Sequence, residues 1–229
     1  MKTIVVIPAY NEKTTVAEAV RNARAFCDEV IVVNDGSRDN TATLATQAGA
    51  TVLTHIINRR YTLGAALRTG IAGALLKGAD IIITFDADLQ HDARDIPRMK
   101  ELIMKGEADA VIGSRFLANK STQWKNGGAH RRLGGLVANI LTFILYGRYM
   151  SDTQSGLRAF SRAALLKLNL ESMRMEVSSG IVGELFHQHL RVAEIAIHPI
   201  YTSYALSKGQ NIKLGFTTAW HLILRRLMS

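Results

Sequence analysis

The sequence contains little cysteine and little proline: Cys27 is the single cysteine, and three prolines occur among 229 residues. One cysteine cannot form an intramolecular disulfide, which excludes small secreted domains stabilised by disulfides and suits a reducing compartment. No Pro/Gly/Ser-rich linker and no internal repeat divides the chain. With 48% hydrophobic residues, the chain has enough apolar side chains to form the core of one compact domain.

Long hydrophobic runs are also absent. The first apolar run ends at Pro8, so we expect no signal sequence and a cytoplasmic protein. The run at residues 133–146 is too short to cross a bilayer. This run and residues 216–228 have arginines beside or within them, as expected for two helices that lie at a membrane interface. Core helices or dimer-forming helices fit the same pattern, and both interpretations stay open.

Acidic residues are outnumbered: 28 Lys and Arg against 19 Asp and Glu give a net charge of +9. A positive chain favours approach to anionic lipid and equally to nucleic acid. The basic residues are dispersed along the chain, and no motif for stacking on single-stranded bases is present. We therefore expect no nucleic-acid partner.

The most informative feature present is Asp86-Ala87-Asp88, directly after the apolar run 81–85. Two carboxylates on the same side of an extended chain repel each other when both are ionised, and a divalent cation removes that conflict. Oxygen ligands favour Mg²⁺ or Mn²⁺, which usually keep open positions for substrate phosphates. The motif predicts metal-assisted chemistry on a phosphate ester, although Asp-x-Asp also occurs in surface turns.

Apolar strands alternate with helical segments around this motif. We predict strands at residues 3–8, 30–33, 51–55, 81–85 and 108–113, and helices at 16–27, at 39–48, after Gly64 and behind a cap at Asp92. This alternation predicts an α/β fold with a doubly wound, mainly parallel sheet. Ligands bind such sheets at the carboxyl ends of the strands, which is where residues 9–12, 34–36 and 86–88 fall.

Several polar residues at these strand ends have two interpretations. Asp35 can accept a hydrogen bond from the edge of uracil or guanine, or can bond the backbone of its own turn. Glu12 also suits the first turn of a helix, and Arg115 can bridge phosphate oxygens or form a surface ion pair. His91 can touch a phosphate or sugar, or can be a hydrogen-bonded residue at a helix entry.

Five motifs occur in the order found in family 2 glycosyltransferases, which have the GT-A fold. They are Pro-Ala-Tyr-Asn-Glu at 8–12, Asn-Asp-Gly-Ser at 34–37, Asp-Ala-Asp-Leu-Gln-His at 86–91, Gly-Ser-Arg at 113–115 and Ser-Gly-Leu-Arg at 155–158. Over about residues 1–200 the chain most resembles the dolichol-phosphate or polyprenol-phosphate mannosyl and glucosyl synthases.

The resemblance implies a role for each matching residue. The nucleoside pocket would include Pro8, Ala9, Tyr10 and Glu12, with Asp35 on the base. The metal and the donor diphosphate would be held by Asp86, Ala87, Asp88 and Gln90. Arg115 and Arg131 would face the diphosphate and the acceptor phosphate, and Lys208 lies in a loop that can close over the diphosphate.

These observations predict a metal-dependent, inverting transferase that moves a hexose from a nucleotide-diphospho-sugar to a polyprenyl phosphate at the inner membrane surface. We expect Asp88, Arg115 and Asp152 to be catalytic. A lipid phosphate needs no general base, because its second ionisation lies at about pH 6. A saccharide hydroxyl is the alternative acceptor, and Asp152 would then act as the base.

Two other classes of function are weighed against this one. A nucleotidyltransferase should carry an early glycine-rich loop, and residues 8–12 are not such a loop. A non-catalytic nucleotide-sugar binding protein is the other, and the intact Asp86 and Asp88 argue against it. We expect a transferase domain at residues 1–211 and an amphipathic helix at 212–229, and a homo-oligomer stays open.

Overall fold

A computed structural model describes residues 1–56, 63–117, 129–169 and 177–200, with the backbone alone at residues 129–135, 138, 177 and 179. The side chain of Arg131, together with Lys208 and the proposed C-terminal helix, therefore lies outside the described residues. The roles predicted for them stay predictions.

Seven strands form one sheet in the order β3-β2-β1-β4-β6-β5-β7. The strands are β1 (Thr3–Ala9), β2 (Glu29–Asn34), β3 (Thr51–Thr54), β4 (Ile81–Thr84), β5 (Ala110–Ser114), β6 (Arg158–Ser161) and β7 (Val192–Ala196). β6 runs antiparallel to both of its neighbours, β4 and β5, and the other pairs are parallel. The predicted α/β fold with a mainly parallel sheet is confirmed.

The predicted helices occur in the predicted order, and two further helices that the sequence did not predict follow them. The helices are α1 (Val16–Arg24), α2 (Thr41–Gln47), α3 (Leu63–Leu76), α4 (Ile96–Met104), α5 (Ala129–Tyr146), α6 (Arg162–Lys167) and α7 (Val177–His187). α2 begins two residues after the predicted start, because the Asp39 carboxylate accepts from the backbone N–H of Thr41 ahead of the first turn. The predicted cap at Asp92 is confirmed for the 3₁₀ turn Ala93–Asp95 that leads into α4, since the Asp92 side chain accepts from the N–H of Arg94 at a distance of 2.9 Å.

β1 lies inside the sheet and is buried on both faces. Val5 and Ile7 pack with α1 and α4 on one face, whereas Ile4 and Val6 pack with α3 on the other. The sequence of such a strand is a continuous apolar run, because neither face of the strand meets water. α3 approaches closely at Gly70, where a methyl group would lie 2.2 Å from a Val6 methyl carbon. The small residues predicted in α3 therefore allow this helix to pack against β1.

β1 continues through Pro8, one residue beyond the predicted end, although proline has no N–H for the ladder. The N–H of Phe85 donates to the carbonyl oxygen of Val6, so the backbone polar groups of Val6 point towards β4. The backbone nitrogen of Pro8, two residues further on, points to the same side. It lies beyond Val6 and Thr84, which are the last residues paired between β1 and β4. Its missing donor therefore costs no hydrogen bond between β1 and β4.

The sheet contains two strands that the sequence did not predict, β6 and β7. β6 also separates β5 from β4, which the simple alternation of strands and helices would have made neighbours. On the other side of β4, β1 has β2 and β3 beyond it, so the strand order reverses between β1 and β4. The crevice at the carboxyl ends of these strands is where open α/β sheets bind ligands.

Candidate active site

Hydrogen bonds join the loop after β1 to the loop after β2. The backbone N–H of Asn11 donates to Ser37 Oγ at 2.9 Å, and Asn11 Oδ1 accepts from the N–H of Arg38 at 2.9 Å. The N–H of Glu12 donates to Thr41 Oγ1 at 2.8 Å. Asn11 has a φ of 53°, a left-handed conformation that asparagine tolerates better than most residues. The two predicted nucleoside loops therefore form one hydrogen-bonded unit.

Asp35 lies in this unit and is 7% exposed. Its Oδ1 lies 2.8 Å from His55 Nδ1, and His55 Nε2 lies 2.9 Å from Thr69 Oγ1. The side chain of Asn34 bonds the backbone of this turn, since its Oδ1 accepts from the N–H of Ser37 at 3.1 Å. Sequence reasoning missed His55, which lies just beyond β3.

The other residues predicted for the nucleoside pocket surround the same crevice. Tyr10 is 43% exposed at the tip of the loop after β1, whereas Ala9 is buried. Pro8 and Asp86 line the same small cavity. Glu12 precedes α1, whose first turn carries Glu18 instead, so the first-turn interpretation of Glu12 is wrong; its carboxylate accepts from Thr15 Oγ1 at 3.0 Å.

Asp86 is held by residues on two sides. Its Oδ2 lies 2.8 Å from His91 Nε2, and His91 is 4% exposed. On the other side, a methyl group on Gly156 would lie 2.1 Å from Asp86 Oδ2, so only glycine fits there. The carbonyl of Gly156 accepts from Thr84 Oγ1 at 2.7 Å, which fixes this close approach. His91 therefore supports Asp86 from within the protein.

Asp88 is held differently. Its Oδ1 accepts from the N–H of Gln90 at 3.1 Å, and its Oδ2 accepts from Gln90 Nε2 at 2.6 Å. Gln90, predicted as a metal ligand, thus directs its amide nitrogen at Asp88, and its role toward a metal stays a prediction. His91 Nδ1 is buried and has no hydrogen-bond partner within the described residues.

The pKa values of the two aspartates shift in opposite directions. Burial raises the pKa of Asp86, but the hydrogen bond from His91 and the charges of His91, Arg115 and Arg158 together lower it below its ordinary value. Burial also raises the pKa of Asp88, and the negative charges of Asp86 and Glu12 raise it further. The negative charges of Asp86 and Glu12 therefore act on Asp88, as expected where a cation binds.

The donor set fits Mg²⁺ or Mn²⁺. Carboxylate oxygens from Asp86 and Asp88 are ligands that these ions prefer, and such ions are commonly held by one or two carboxylates together with substrate phosphates. No group of three or more His, Cys, Asp or Glu side chains within the described ranges is arranged to hold a metal. The two aspartates thus match a cation shared with a diphosphate.

Arg115 follows β5 and forms a bidentate ion pair with Asp152. Arg115 Nε donates to Oδ2 at 2.7 Å and its terminal nitrogen donates to Oδ1 at 2.8 Å, while Asp152 is 1% exposed. Glu194 in β7 supports Asp152 through the preceding residue, since its carboxylate accepts from the backbone N–H of Ser151 at 3.0 Å. Sequence reasoning missed Glu194. The role of Asp152 as a base stays a prediction, and it would require the ion pair to open.

Arg158 begins β6 and is 2% exposed behind Asp86. It donates to the carbonyl oxygens of Ser155 at 2.8 Å and Thr153 at 3.0 Å. Burial lowers the pKa of Arg158 to about 10, although the charges of Asp86 and Asp152 oppose that shift. The guanidinium is therefore still charged at neutral pH, and it contributes a fixed positive charge next to the aspartates.

α5 presents an apolar face to solvent. Asn139 and Thr142 are buried, with Asn139 Nδ2 donating to the carbonyl of Ser151 at 2.7 Å. Five large apolar side chains of this helix are between 46% and 70% exposed: Leu136, Val137, Ile140, Phe143 and Ile144. None of the described helices is long and apolar enough to span a bilayer.

Comparison with known proteins identifies relatives along most of the chain. The sequence profile of the family described as Glycosyl transferase family 2 matches residues 4–168. UDP-N-acetylglucosamine--dolichyl-phosphate N-acetylglucosaminyltransferase of Methanococcus voltae is 33% identical, over 97% of this chain and 95% of its own. Undecaprenyl-phosphate 4-deoxy-4-formamido-L-arabinose transferase of Pseudomonas aeruginosa is 30% identical, over 98% of this chain and 67% of its own.

A solved structure shares the fold. The glucosyl-3-phosphoglycerate synthase of Mycobacterium tuberculosis, crystallised with Mn²⁺, uridine diphosphate and phosphoglyceric acid, superimposes with a TM-score of 0.74. The match covers 98% of this chain and 78% of that one at 22% identity. The predicted GT-A architecture is therefore confirmed.

Proposed function

Because the chain belongs to glycosyl transferase family 2 and is a glycosyltransferase, we propose that it transfers a hexose, with inversion, from a nucleotide-diphospho-sugar to a polyprenyl phosphate. One observation carries the proposal: the carboxylates of Asp86 and Asp88 lie at the carboxyl end of β4, beside the nucleoside loops. Arg115 is held by Asp152 at the end of β5, on the far side of β6.

The donor would bind across the loops after β1, β2 and β4. Tyr10 offers an exposed ring for stacking, and Asp35 offers a buried acceptor for an N–H of the base. Asp86, Asp88 and Gln90 would hold Mg²⁺ or Mn²⁺, which supplies positive charge against the leaving nucleoside diphosphate when bound. Arg115 adds a fork of donors that Asp152 holds in one orientation, so its geometry suits a phosphate.

The acceptor assignment draws on the relatives and on Asp152. Both curated relatives above are named for transfer to a polyprenyl phosphate or dolichyl phosphate. A phosphate acceptor is already ionised at neutral pH and needs no base. Both carboxylate oxygens of Asp152 accept from Arg115, which suits a reaction without a general base more than the alternative, transfer to a saccharide hydroxyl.

Membrane contact is the remaining part of this proposal. The exposed apolar face of α5 supports an interfacial helix at the inner surface of the cytoplasmic membrane, where a lipid-linked acceptor would lie. A contact between two copies of the chain is the alternative occupant of that face. The net charge of +9 favours the anionic membrane surface over a second copy of the same positive chain.

The test is a transfer assay with purified protein, UDP-hexoses and GDP-hexoses as donors, and polyprenyl phosphate in anionic vesicles as acceptor. A thermal-shift panel of the same nucleotides with and without Mn²⁺ identifies the donor first, because a ligand that binds the native state raises its stability. We expect transfer to the lipid phosphate in Mn²⁺ or Mg²⁺ and none in chelator. Transfer to soluble saccharides alone would contradict the lipid acceptor.

A further inference from the structure

We propose that Asn139 in α5 is a positioning residue for Arg115, on which it acts through the loop at residues 151–153. The inference rests on the proposed function, in which Arg115 binds a phosphate. It adds a residue of α5 to the site, so that this helix orients the guanidinium as well as presenting an apolar face to solvent.

Asn139 is a buried polar residue within an apolar helix. It interrupts the apolar run at residues 133–146 and is 4% exposed. Asparagine is a poor helix former, and burial of its amide costs free energy unless the amide is hydrogen-bonded. Thr142, three residues later, is buried on the same side of α5, whereas Ile140 and Phe143 are exposed. An asparagine at this position therefore indicates a specific polar partner.

The amide of Asn139 holds the loop on both sides of Asp152. Asn139 Nδ2 donates to the carbonyl oxygen of Ser151 at 2.7 Å. Asn139 Oδ1 accepts from the backbone N–H of Thr153 at 3.0 Å and from Thr153 Oγ1 at 2.8 Å. A carbonyl only accepts and a backbone N–H only donates, so these contacts determine which way the amide points. Because Thr153 is completely buried, loss of the amide would leave its N–H without this partner and without water.

The loop in turn holds Arg115 and the residue before it. The backbone N–H of Arg115 donates to Asp152 Oδ2 at 3.1 Å, in addition to the bidentate ion pair. Ser151 Oγ lies 2.6 Å from Ser114 Oγ, and both residues are buried. The Arg115 side chain is 27% exposed, so the network that begins at Asn139 reaches solvent at the guanidinium. A guanidinium binds phosphate through a fixed fork of donors, and a small displacement of that fork lowers turnover.

The experiment is a double-mutant cycle on kcat/KM in Mn²⁺, with polyprenyl phosphate in anionic vesicles and the UDP-hexose or GDP-hexose that the wild type uses. Asn139→Ala should lower kcat/KM at least about tenfold. Arg115→Lys keeps the charge and removes the fork. In that background Asn139→Ala should lower kcat/KM less than about twofold, because the orientation it protects is already lost. A loss of stability alone would lower kcat/KM by the same factor in both backgrounds.

Ser161→Ala is the matched control, because it also removes a side-chain hydrogen bond but lies at the opposite end of the sheet. Ser161 Oγ accepts from the N–H of Ala164 at 3.1 Å, and Ser161 pairs with Ile81 at the start of β4. This variant should lower the temperature of thermal unfolding, since it removes a helix cap, and should leave kcat/KM unchanged.

Two further variants keep the test decisive. If Asn139→Ala does not fold, Thr153→Val removes one of the three contacts with little change of shape, and it should give a smaller loss with the same dependence on Arg115. If Arg115→Lys has no measurable activity, Asp152→Asn, which weakens the hold on Arg115, replaces it as the background. Full activity of Asn139→Ala, or an equal loss in both backgrounds, would overturn the inference and leave the transferase proposal standing. A wild type that transfers no hexose would overturn the proposed function itself.

Discussion

The backbone of Gly156 lies directly against the carboxylate of Asp86, so that a methyl group at position 156 would meet all three carboxyl atoms at 2.1 to 2.4 Å. The contact joins the segment before β6 to the end of β4. The position of Asp86 therefore depends on a glycine seventy residues further along the chain.

Gly156→Ala should therefore displace Asp86 and weaken binding of Mn²⁺ together with UDP, with a fall in turnover of at least about tenfold. Binding can be followed by calorimetry and folding by thermal unfolding. Gly73→Ala in α3 is the matched control, because its added methyl group would meet only the ends of two apolar side chains, Leu53 Cδ1 at 3.0 Å and Ile31 Cδ1 at 3.7 Å. Equal activity of the two variants would show that Asp86 does not need its present position.

Asp88→Ala should abolish transfer while the protein stays folded, because Asp88 lies in the loop after β4 and its contacts are with Gln90. Removing it also removes the repulsion with Asp86, so the free energy of unfolding should not fall. Activity is measured after chelation and again after Mn²⁺ is restored. Asp92→Ala, which removes a helix cap nearby, should lose about 1 kcal/mol of stability and keep its activity. Full activity of Asp88→Ala would exclude Asp88 as a metal ligand.

Asp35→Ala should weaken binding of UDP by about 1–3 kcal/mol, through loss of the hydrogen bond to the base. Calorimetry with the free nucleotide measures this directly. Asp28→Ala is a control at the opposite end of the sheet, where the Asp28 carboxylate accepts from the N–H of Thr3 at 2.6 Å. We expect Asp28→Ala to lower stability with no effect on UDP. Unchanged affinity of Asp35→Ala would rule out its contact with the base.

The first half of the fold was predictable because each element has a strong local pattern. β1, β2 and β4 are apolar runs that end in polar turns, and the helices between them have clear helical spacing. β6 was missed because its four residues begin with the buried Arg158, whose burial depends on carbonyl oxygens of the preceding loop. β7 was missed because Glu194 interrupts a short strand, and its partner Ser151 is distant in sequence.

The residues of the site also fall into two groups, those that the sequence predicts and those that it does not. Asp35, Asp86, Asp88 and Arg115 carry their own motifs, so they could be named from the sequence. Their supporting residues could not, since His55, Gly156 and Glu194 act through contacts that only the strand order creates. Asp152 was identified, but its bidentate contact with Arg115 follows from the placement of its loop beside β5, which no local pattern predicts.

Cys27 should react slowly with iodoacetamide in the folded protein. Burial is the main reason that its pKa rises from 9.0 to about 11. The thiolate, which is the reactive form, is then about a hundredfold scarcer at pH 8 than in the unfolded chain. Because the unfolded state loses this proton first, stability should fall as the pH rises from 9.0 towards 11. Mass spectrometry of labelling in buffer and in guanidinium measures the ratio, and equal rates would contradict the burial of this thiol.

The exposed apolar face of α5 should bind anionic vesicles, and salt should weaken the binding because the positive chain is drawn to anionic lipid. Ile144 is 70% exposed on this face, so Ile144→Glu should reduce vesicle binding in a flotation assay by removing an apolar side chain that would enter the lipid. Leu166→Glu is the matched control, because Leu166 is 65% exposed on α6.

On sequence grounds, Arg225→Glu with Arg226→Glu should weaken vesicle binding further. Sedimentation of the same variants measures their oligomeric state, and so shows whether lipid or a second copy of the chain covers the apolar face of α5. If Ile144→Glu changes the oligomeric state and leaves vesicle binding unchanged, the α5 face is a dimer contact. Transfer to a lipid phosphate would then require another route to the membrane, because no interfacial helix would remain at this position.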